Sequence, residues 1–149
     1  MFEYFKSMIT IPADEEDSSQ KKLQIATCAL FYEMAKADED LSGDEHEMIV
    51  SIMKEKFELE NDEVNRLMSL TEERIKQSVS IYEFTSLLDQ NFSRDEKLEL
   101  MKNLWRLIYT DKKLDKYEDN LVKRIGDMLK LEHKEVIESK LIVKSELGL

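Results

Sequence analysis

Residues that form disulfides, tight turns and nitrogen-ligated metal sites are scarce in this sequence. It has one cysteine, one proline, three glycines and two histidines among 149 residues. A single cysteine excludes an internal disulfide and a thiolate zinc cluster. Three scattered glycines exclude a phosphate-binding loop. The lack of any Glu-x-x-His pattern excludes the di-iron signature of helix bundles.

Long apolar runs and excess positive charge are also missing. No apolar run reaches about 18 residues, so we expect no transmembrane segment. Residues 1–9 lack the pattern of a secretory signal, and we therefore expect a cytoplasmic protein. The 33 acidic residues outnumber the 22 Lys and Arg residues, for a formal charge of -11. That charge opposes nucleic-acid binding and favours a cation or a basic partner.

The remaining features are typical of an all-α fold. Apolar residues recur at helical spacing, and a Ser or Asp followed three residues later by Glu marks several helix starts. These capping signals are Ser42/Glu45, Ser80/Glu83, Ser93/Glu96 and the variant Asp115/Glu118. Two segments, 23–37 and 98–109, are apolar nearly all round and are expected at the centre of an orthogonal or irregular bundle. We predict helices over 20–37, 43–57, 62–76, 81–91, 94–110, 116–130 and 133–146, plus a short opening helix.

The chain length suits one domain. Pro12 ends the opening helix, and residues 14–19 have the composition of a polar linker. We therefore expect an N-terminal helix and linker over 1–19 and a single domain over 20–149. The opening helix either packs on this domain or associates peripherally with a membrane. Glu3 and Lys6 balance in charge, so its attraction to anionic lipid would be weak.

An internal duplication is the strongest pattern in the sequence. Residues 31–52 match residues 104–125 at a constant spacing of 73 residues. Both copies contain the pattern Asp-x-x-Leu-[Ser/Asp]-x-x-Glu, which we call the kernel. The first kernel runs from Asp38 to Glu45 and the second from Asp111 to Glu118. The repeat predicts two helix–turn–helix units related by an approximate two-fold axis.

The kernels contain the candidate metal ligands. A carboxylate that closes a helix, as Asp38 and Asp111 are expected to do, meets the negative end of the helix dipole at a cost of up to about 1 kcal/mol. A bound cation would offset that cost, and carboxylate oxygens suit Ca²⁺ or Mg²⁺. An EF-hand is excluded because Ile49 stands where its bidentate Glu belongs. Ligands would therefore converge from both units. The candidates are Asp38, Glu45, Asp111 and Glu118, with Asp40, Asp44 and Asp115 as outer ligands.

Helix capping is the alternative interpretation of the kernels. A Glu at the third helical position caps the helix and complements its dipole, whether or not an ion is present. A third, partial kernel runs from Asp89 to Glu96. A solvated acidic turn without a cation therefore stays open. His46 is expected on the surface, and Cys28 is expected as a small buried hydrophobe rather than a nucleophile.

The paired kernels also carry a family resemblance. The matching residues are Ala37-Asp38, Leu41-Ser42 and Glu45 in the first half, and Thr110-Asp111, Leu114-Asp115 and Glu118 in the second. At these residues the sequence resembles the TerB-like family, the helical domain associated with tellurite resistance and found at the head of a membrane-anchored DnaJ-type co-chaperone. The resemblance implies an all-α fold with a pseudo-two-fold arrangement, a divalent-cation site built from the paired acids, and a role in stress or metal resistance.

Two functions follow as hypotheses. The first is a non-enzymatic TerB-like module that binds a divalent cation and acts through contacts with a protein partner. The alternative is a protein-interaction or co-chaperone-type scaffold without metal binding, whose acidic turns face a basic partner. An enzyme that uses carboxylate chemistry is a third class, but the sequence offers no nucleophile–base pair for it.

Overall fold

The computed structural model describes residues 13–35, 43–78, 80–111 and 116–149, and all side chains in these ranges except those of residues 13–18 and 111. This part of the chain contains seven α-helices, one short 3₁₀-helix and no β-strand, which confirms the all-α prediction. The helices are α1 (Ala13–Ala35), α2 (Gly43–Phe57), α3 (Asn61–Gln77), α4 (Tyr82–Asn91), α5 (Arg94–Ile108), α6 (Lys116–Met128) and α7 (His133–Leu147). The 3₁₀-helix, Tyr109–Asp111, follows α5.

The start of α1 differs from the sequence prediction. The helix begins at Ala13, so the prediction of a polar linker over residues 14–19 was wrong. Four acidic residues, at positions 14 to 17, stand in its first turns, and negative charge is favourable at a helix N-terminus. The predicted opening helix lies outside the described residues, and the proposed domain boundary after residue 19 stays a prediction.

Helices α1 and α5 form the centre of the bundle. Helix α1 packs against α2, α3, α4, α5 and α6, and α5 packs against α1, α2, α6 and α7. Their large apolar side chains, including Phe31, Met34, Leu104 and Trp105, are fully buried. This arrangement confirms that the two nearly all-apolar segments are the inner helices. Nowhere in the described residues is a helix both long and apolar enough to cross a membrane.

The duplication is visible in the helix ends. Glu58 and Lys130, at equivalent repeat positions, both adopt left-handed backbone conformations, with φ of 55° and 63°. The next N–H in each case bonds back across the last turn, from Leu59 to the Lys54 carbonyl at 3.1 Å and from Leu131 to the Gly126 carbonyl at 3.0 Å. Both bonds are of the Schellman type, which stops a helix. Because α2 and α6 end in the same way, α1–α3 form the first unit and α5–α7 form the second.

Helix α4 joins the two units. Its buried residues are Phe84, Thr85 and Leu88, and the helix packs against α1 of the first unit and α6 of the second. The core is thus continuous across both units and α4.

Candidate cation site at the paired kernels

The helices that flank one kernel contact the helices that flank the other. In the first unit α1 precedes the kernel, and α2 begins within it. In the second unit α5 and the 3₁₀-helix precede the kernel, and α6 begins within it. Helix α1 packs against α5 and α6, and α2 packs against α5 and the 3₁₀-helix. The two helix–turn–helix units therefore meet along the elements that carry the kernels.

Two of the four predicted ligands lie within the described side chains. Glu45 is in the first turn of α2 and is partly exposed, whereas Glu118 is in the first turn of α6 and only 4% exposed. Both residues have interaction partners in the structure. The first-turn positions agree with the capping prediction. Burial of Glu118 takes its carboxylate out of water, and a buried carboxylate needs compensating polar contacts.

The remaining predicted ligands fall outside what the structure describes. Asp38, Asp40 and Asp115 lie outside the described residues, as does the side chain of Asp111. Asp44 is described, and is exposed in the first turn of α2. Among the described side chains, no three His, Cys, Asp or Glu residues lie close enough together to hold a metal ion. A complete cation site would therefore need carboxylates from outside the described side chains, such as those of Asp38 and Asp111.

The third kernel is described in full and shows how the Asp of a kernel is accommodated. Asp89 lies in the last turn of α4, where the helix dipole is unfavourable for a carboxylate. Lys97 donates to its Oδ1 at 2.7 Å, and Lys130 donates to its Oδ2 at 2.6 Å. Hydrogen bonds from Lys130 and Lys97 lower the pKa of Asp89. Two lysines thus supply the positive charge that this helix end requires.

The Glu of the third kernel caps the following helix. The Glu96 N–H donates to Ser93 Oγ at 3.2 Å, and the Ser93 N–H donates to Glu96 Oε1 at 2.9 Å. The second oxygen of Glu96 accepts from Lys56 at 3.1 Å. The bond from the Ser93 backbone lowers the pKa of Glu96, with Lys56 adding to the effect. The capping box predicted at Ser93/Glu96 is confirmed.

The capping box predicted at Ser80/Glu83 does not form. Helix α4 begins at Tyr82, and the Tyr82 N–H donates to Ser80 Oγ at 3.2 Å. Glu83 accepts from Arg74 of α3 at 2.5 Å instead of turning back to the serine backbone. Ile81, not Ser80, is the N-cap residue of α4, so Ser80 and Glu83 do not stand at the two positions that a capping box requires.

Sequence reasoning missed Asp119, which follows Glu118 in the first turn of α6. Its Oδ2 accepts from Lys123 at 2.8 Å, whereas its Oδ1 is buried and has no hydrogen-bond partner among the described residues. Burial, together with the charge of Asp119, raises the pKa of Tyr109 at the start of the 3₁₀-helix. A second carboxylate thus lies in the first turn of α6, near enough to the 3₁₀-helix to act on Tyr109. Its position next to a kernel Glu was the only signal available in the sequence.

The other predicted polar residues have structural environments that match expectation. Cys28 is fully buried, and burial raises the pKa of its thiol to about 12. A thiol with that pKa is protonated at neutral pH and is a poor nucleophile. His46 is exposed near the start of α2. Both predictions of position are confirmed.

The fold and the sequence repeat define a class of protein: an all-α module of two similar three-helix units, joined by α4 and with an acidic kernel in the sequence of each unit. A family model described as "Tellurite resistance protein TerB" matches residues 24–141. The match covers most of the chain, and the chain belongs to the TerB family. No curated protein and no solved structure matches the chain.

Proposed function

We propose that this tellurite-resistance-related helical module binds a divalent cation, Ca²⁺ or Mg²⁺, between its two kernels and acts through contacts with a protein partner rather than as an enzyme. Asp38, Glu45, Asp111 and Glu118 would be ligands, directly or through water. Ca²⁺ accepts six to eight oxygen ligands and Mg²⁺ retains several waters, so four carboxylates completed by water suit either ion.

The comparison with the third kernel is the observation that carries this proposal. There, the Asp at the end of a helix is held by two lysine ammonium groups. In the first kernel, the sequence has no Lys or Arg between Lys36 and Lys54, although six carboxylates lie within residues 38–47. A divalent cation would supply there the charge that Lys97 and Lys130 supply to Asp89.

The packing of the two units supports a shared ion. Helices α1, α2, α5 and α6 and the 3₁₀-helix, which flank the kernels, contact one another in pairs drawn from both units. For a shared ion, the carboxylates at the ends of these elements would have to meet at a common centre. Glu118 is buried, and buried carboxylates are generally paired with a positive group or bound to a metal ion.

A thermal titration tests the proposal. Calcium or magnesium, added after treatment with a chelator, should raise the Tm, because a ligand that binds only the folded state stabilises it by about 2.7 kcal/mol at a hundred times its Kd. The double variant Asp38→Asn with Asp111→Asn should abolish the rise. The matched control is Asp89→Asn with Asp95→Asn, which removes the same charge from the third kernel and should preserve the rise.

The scaffold without metal binding is the second candidate. Its support is the third kernel, in which capping and lysine contacts account for both acids without an ion. On this alternative the wild-type Tm does not respond to either cation. The variant Asp38→Asn with Asp111→Asn then becomes more stable, because mutual repulsion in the acidic turns decreases.

A further inference from the structure

We propose that the groove between α2 and the start of α3 binds a basic amphipathic segment of a partner protein. This docking surface, which rests on the protein-contact part of the proposed function, does not require the cation. The groove has a volume of about 600 Å³, which accommodates several side chains.

The groove has an apolar floor. On α2, His46, Val50 and Lys54 and their neighbours line it at the spacing of one helix face, away from the buried face of the same helix. Val50 and Leu59 are partly buried and pack against the core. They offer a fixed apolar surface on which a leucine or valine of a partner would lose its contact with water.

The rim of the groove carries uncompensated negative charge. Glu47 and Glu55 are exposed, and neither forms an ion pair with a cation in the described residues. The one lysine of the rim, Lys54, donates to Asn61 Oδ1 at 2.7 Å and is held toward α3. A partner with lysine or arginine would gain two ion pairs here, and an anionic lipid surface would be repelled.

A second groove, between α2 and α5, lacks this imbalance. Arg106 donates to Glu146 and Glu99, and Lys56 donates to Glu96. Apart from Glu55, which lines both grooves, its charges are already paired within the chain, so a charged partner would have to replace existing contacts. The comparison selects the groove between α2 and α3 as the docking surface.

The spacing of the two acids defines the partner. Glu47 and Glu55 are eight residues apart on α2, which is about 12 Å along the helix axis. Two basic residues of the partner should therefore lie about 12 Å apart, which is seven or eight residues in a helix or about four in an extended segment. An apolar residue between them would contact Val50 and Leu59.

Fluorescence anisotropy with a defined peptide tests this docking surface. The probe is a labelled amphipathic peptide of about 14 residues, roughly 21 Å as a helix, with leucines between lysines on one face. Binding is measured with the full chain in EDTA at low ionic strength. The variant Glu47→Gln with Glu55→Gln should weaken binding about three- to tenfold, as expected for the loss of two partly exposed ion pairs.

The matched control is Asp127→Asn with Glu138→Gln, two exposed acids outside the groove that likewise form no ion pair with a described cation. It removes the same charge and should change affinity by less than about twofold. A peptide with serine in place of leucine should bind much more weakly. The proposal is overturned if the leucine peptide does not bind, if both double variants weaken binding equally, or if the serine peptide binds as well. Because EDTA is present, these outcomes are independent of the Tm titration that tests the cation site.

Discussion

The two units of this protein have similar helix ends but different residues in their cores. Both end their second helix at a left-handed, non-glycine residue, Glu58 or Lys130, and bond the next N–H back across the last turn. Inside, however, Tyr32 of the first unit corresponds to Trp105 of the second, and Met53 corresponds to Gly126. The comparison teaches that the end of the second helix is repeated between the units, whereas each unit packs its core separately.

The charges of the units differ as well. In the second unit, Arg106 of α5 donates two hydrogen bonds, from Nε and Nη2, to the Glu146 carboxylate of α7. The equivalent positions of the first unit are Glu33 and Arg74, so the signs are exchanged. Arg74 does not pair with Glu33 and instead contacts Glu83 of α4. A sequence repeat of charged positions therefore did not produce a repeat of ion pairs.

The largest expected effect concerns the equivalent aromatic residues. Trp105 is fully buried, and its Nε1–H donates to the Val136 carbonyl of α7 at 3.2 Å. Trp105→Phe should lower the free energy of unfolding by about 2–3 kcal/mol, because it leaves a cavity and removes a buried hydrogen bond. Tyr32 donates to Glu72 of α3 at 3.3 Å. Tyr32→Phe removes only this longer bond and should cost about 0.5–1 kcal/mol.

Urea denaturation of both variants measures the difference. Equal losses of stability in the two variants would contradict the conclusion that the second unit depends more strongly on its aromatic residue.

A smaller effect is expected where α6 approaches α7. A Cβ atom on Gly126 would lie 2.6 Å from Val136 Cγ2, a branched side chain that turns aside only at a cost. Overpacking of about 1–3 kcal/mol, less about 1 kcal/mol gained by replacing a helical glycine, leaves a net loss of about 1 kcal/mol for Gly126→Ala.

Gly43→Ala is the matched control, because a Cβ there would have no neighbour within 4 Å. Its Tm should stay the same or rise slightly. A Gly126→Ala protein about 1 kcal/mol more stable than the wild type would show that α6 and α7 can move apart without cost, as the larger Met53 at the equivalent position of the first unit would suggest.

The smallest effect concerns the third kernel and depends on pH. The pKa of Asp89 is lowered in the folded protein by Lys130 and Lys97, so the ionised side chain stabilises the fold above its unfolded pKa of about 3.9. This contribution is lost as pH falls from that value through the lower folded pKa. Asp89→Asn should therefore reduce stability at neutral pH by less than Gly126→Ala does, and the difference from wild type should disappear in acid.

Urea midpoints at neutral and acidic pH provide the measurement. Asp95→Asn removes an exposed acid of α5 that has no ion pair with a described cation. Its difference in urea midpoint from the wild type should change little with pH. A deficit of Asp89→Asn that persists in acid would show that lysine contacts do not neutralise this kernel.

Most of the fold could be predicted because its signals are local. Helical spacing of apolar residues located the inner helices α1 and α5, and the fixed offset of 73 residues located the two units. The Ser93/Glu96 capping box was predictable because its bonds join residues three apart. The start of α1 was not, because the acids after Pro12 have the composition of a linker as well as that of a helix start.

The candidate site was less predictable because burial of an acid depends on distant packing. Nothing local distinguishes Glu118, which is buried at the start of α6, from Glu45, which is partly exposed at the equivalent place in α2. The contact of Arg74 with Glu83 has the same origin, since Glu83 belongs to α4, which packs against the first unit from elsewhere in the sequence.

The fluorescence of the single tryptophan reports on the packing of the second unit. Trp105 is the only indole in the chain, lies between α5 and α7, and has Lys140 5.4 Å above its ring. Its fluorescence emission should shift to the red when α7 leaves α5, whereas far-ultraviolet circular dichroism follows the helices of both units. The two optical signals will therefore coincide on heating only if the whole molecule melts as one cooperative body.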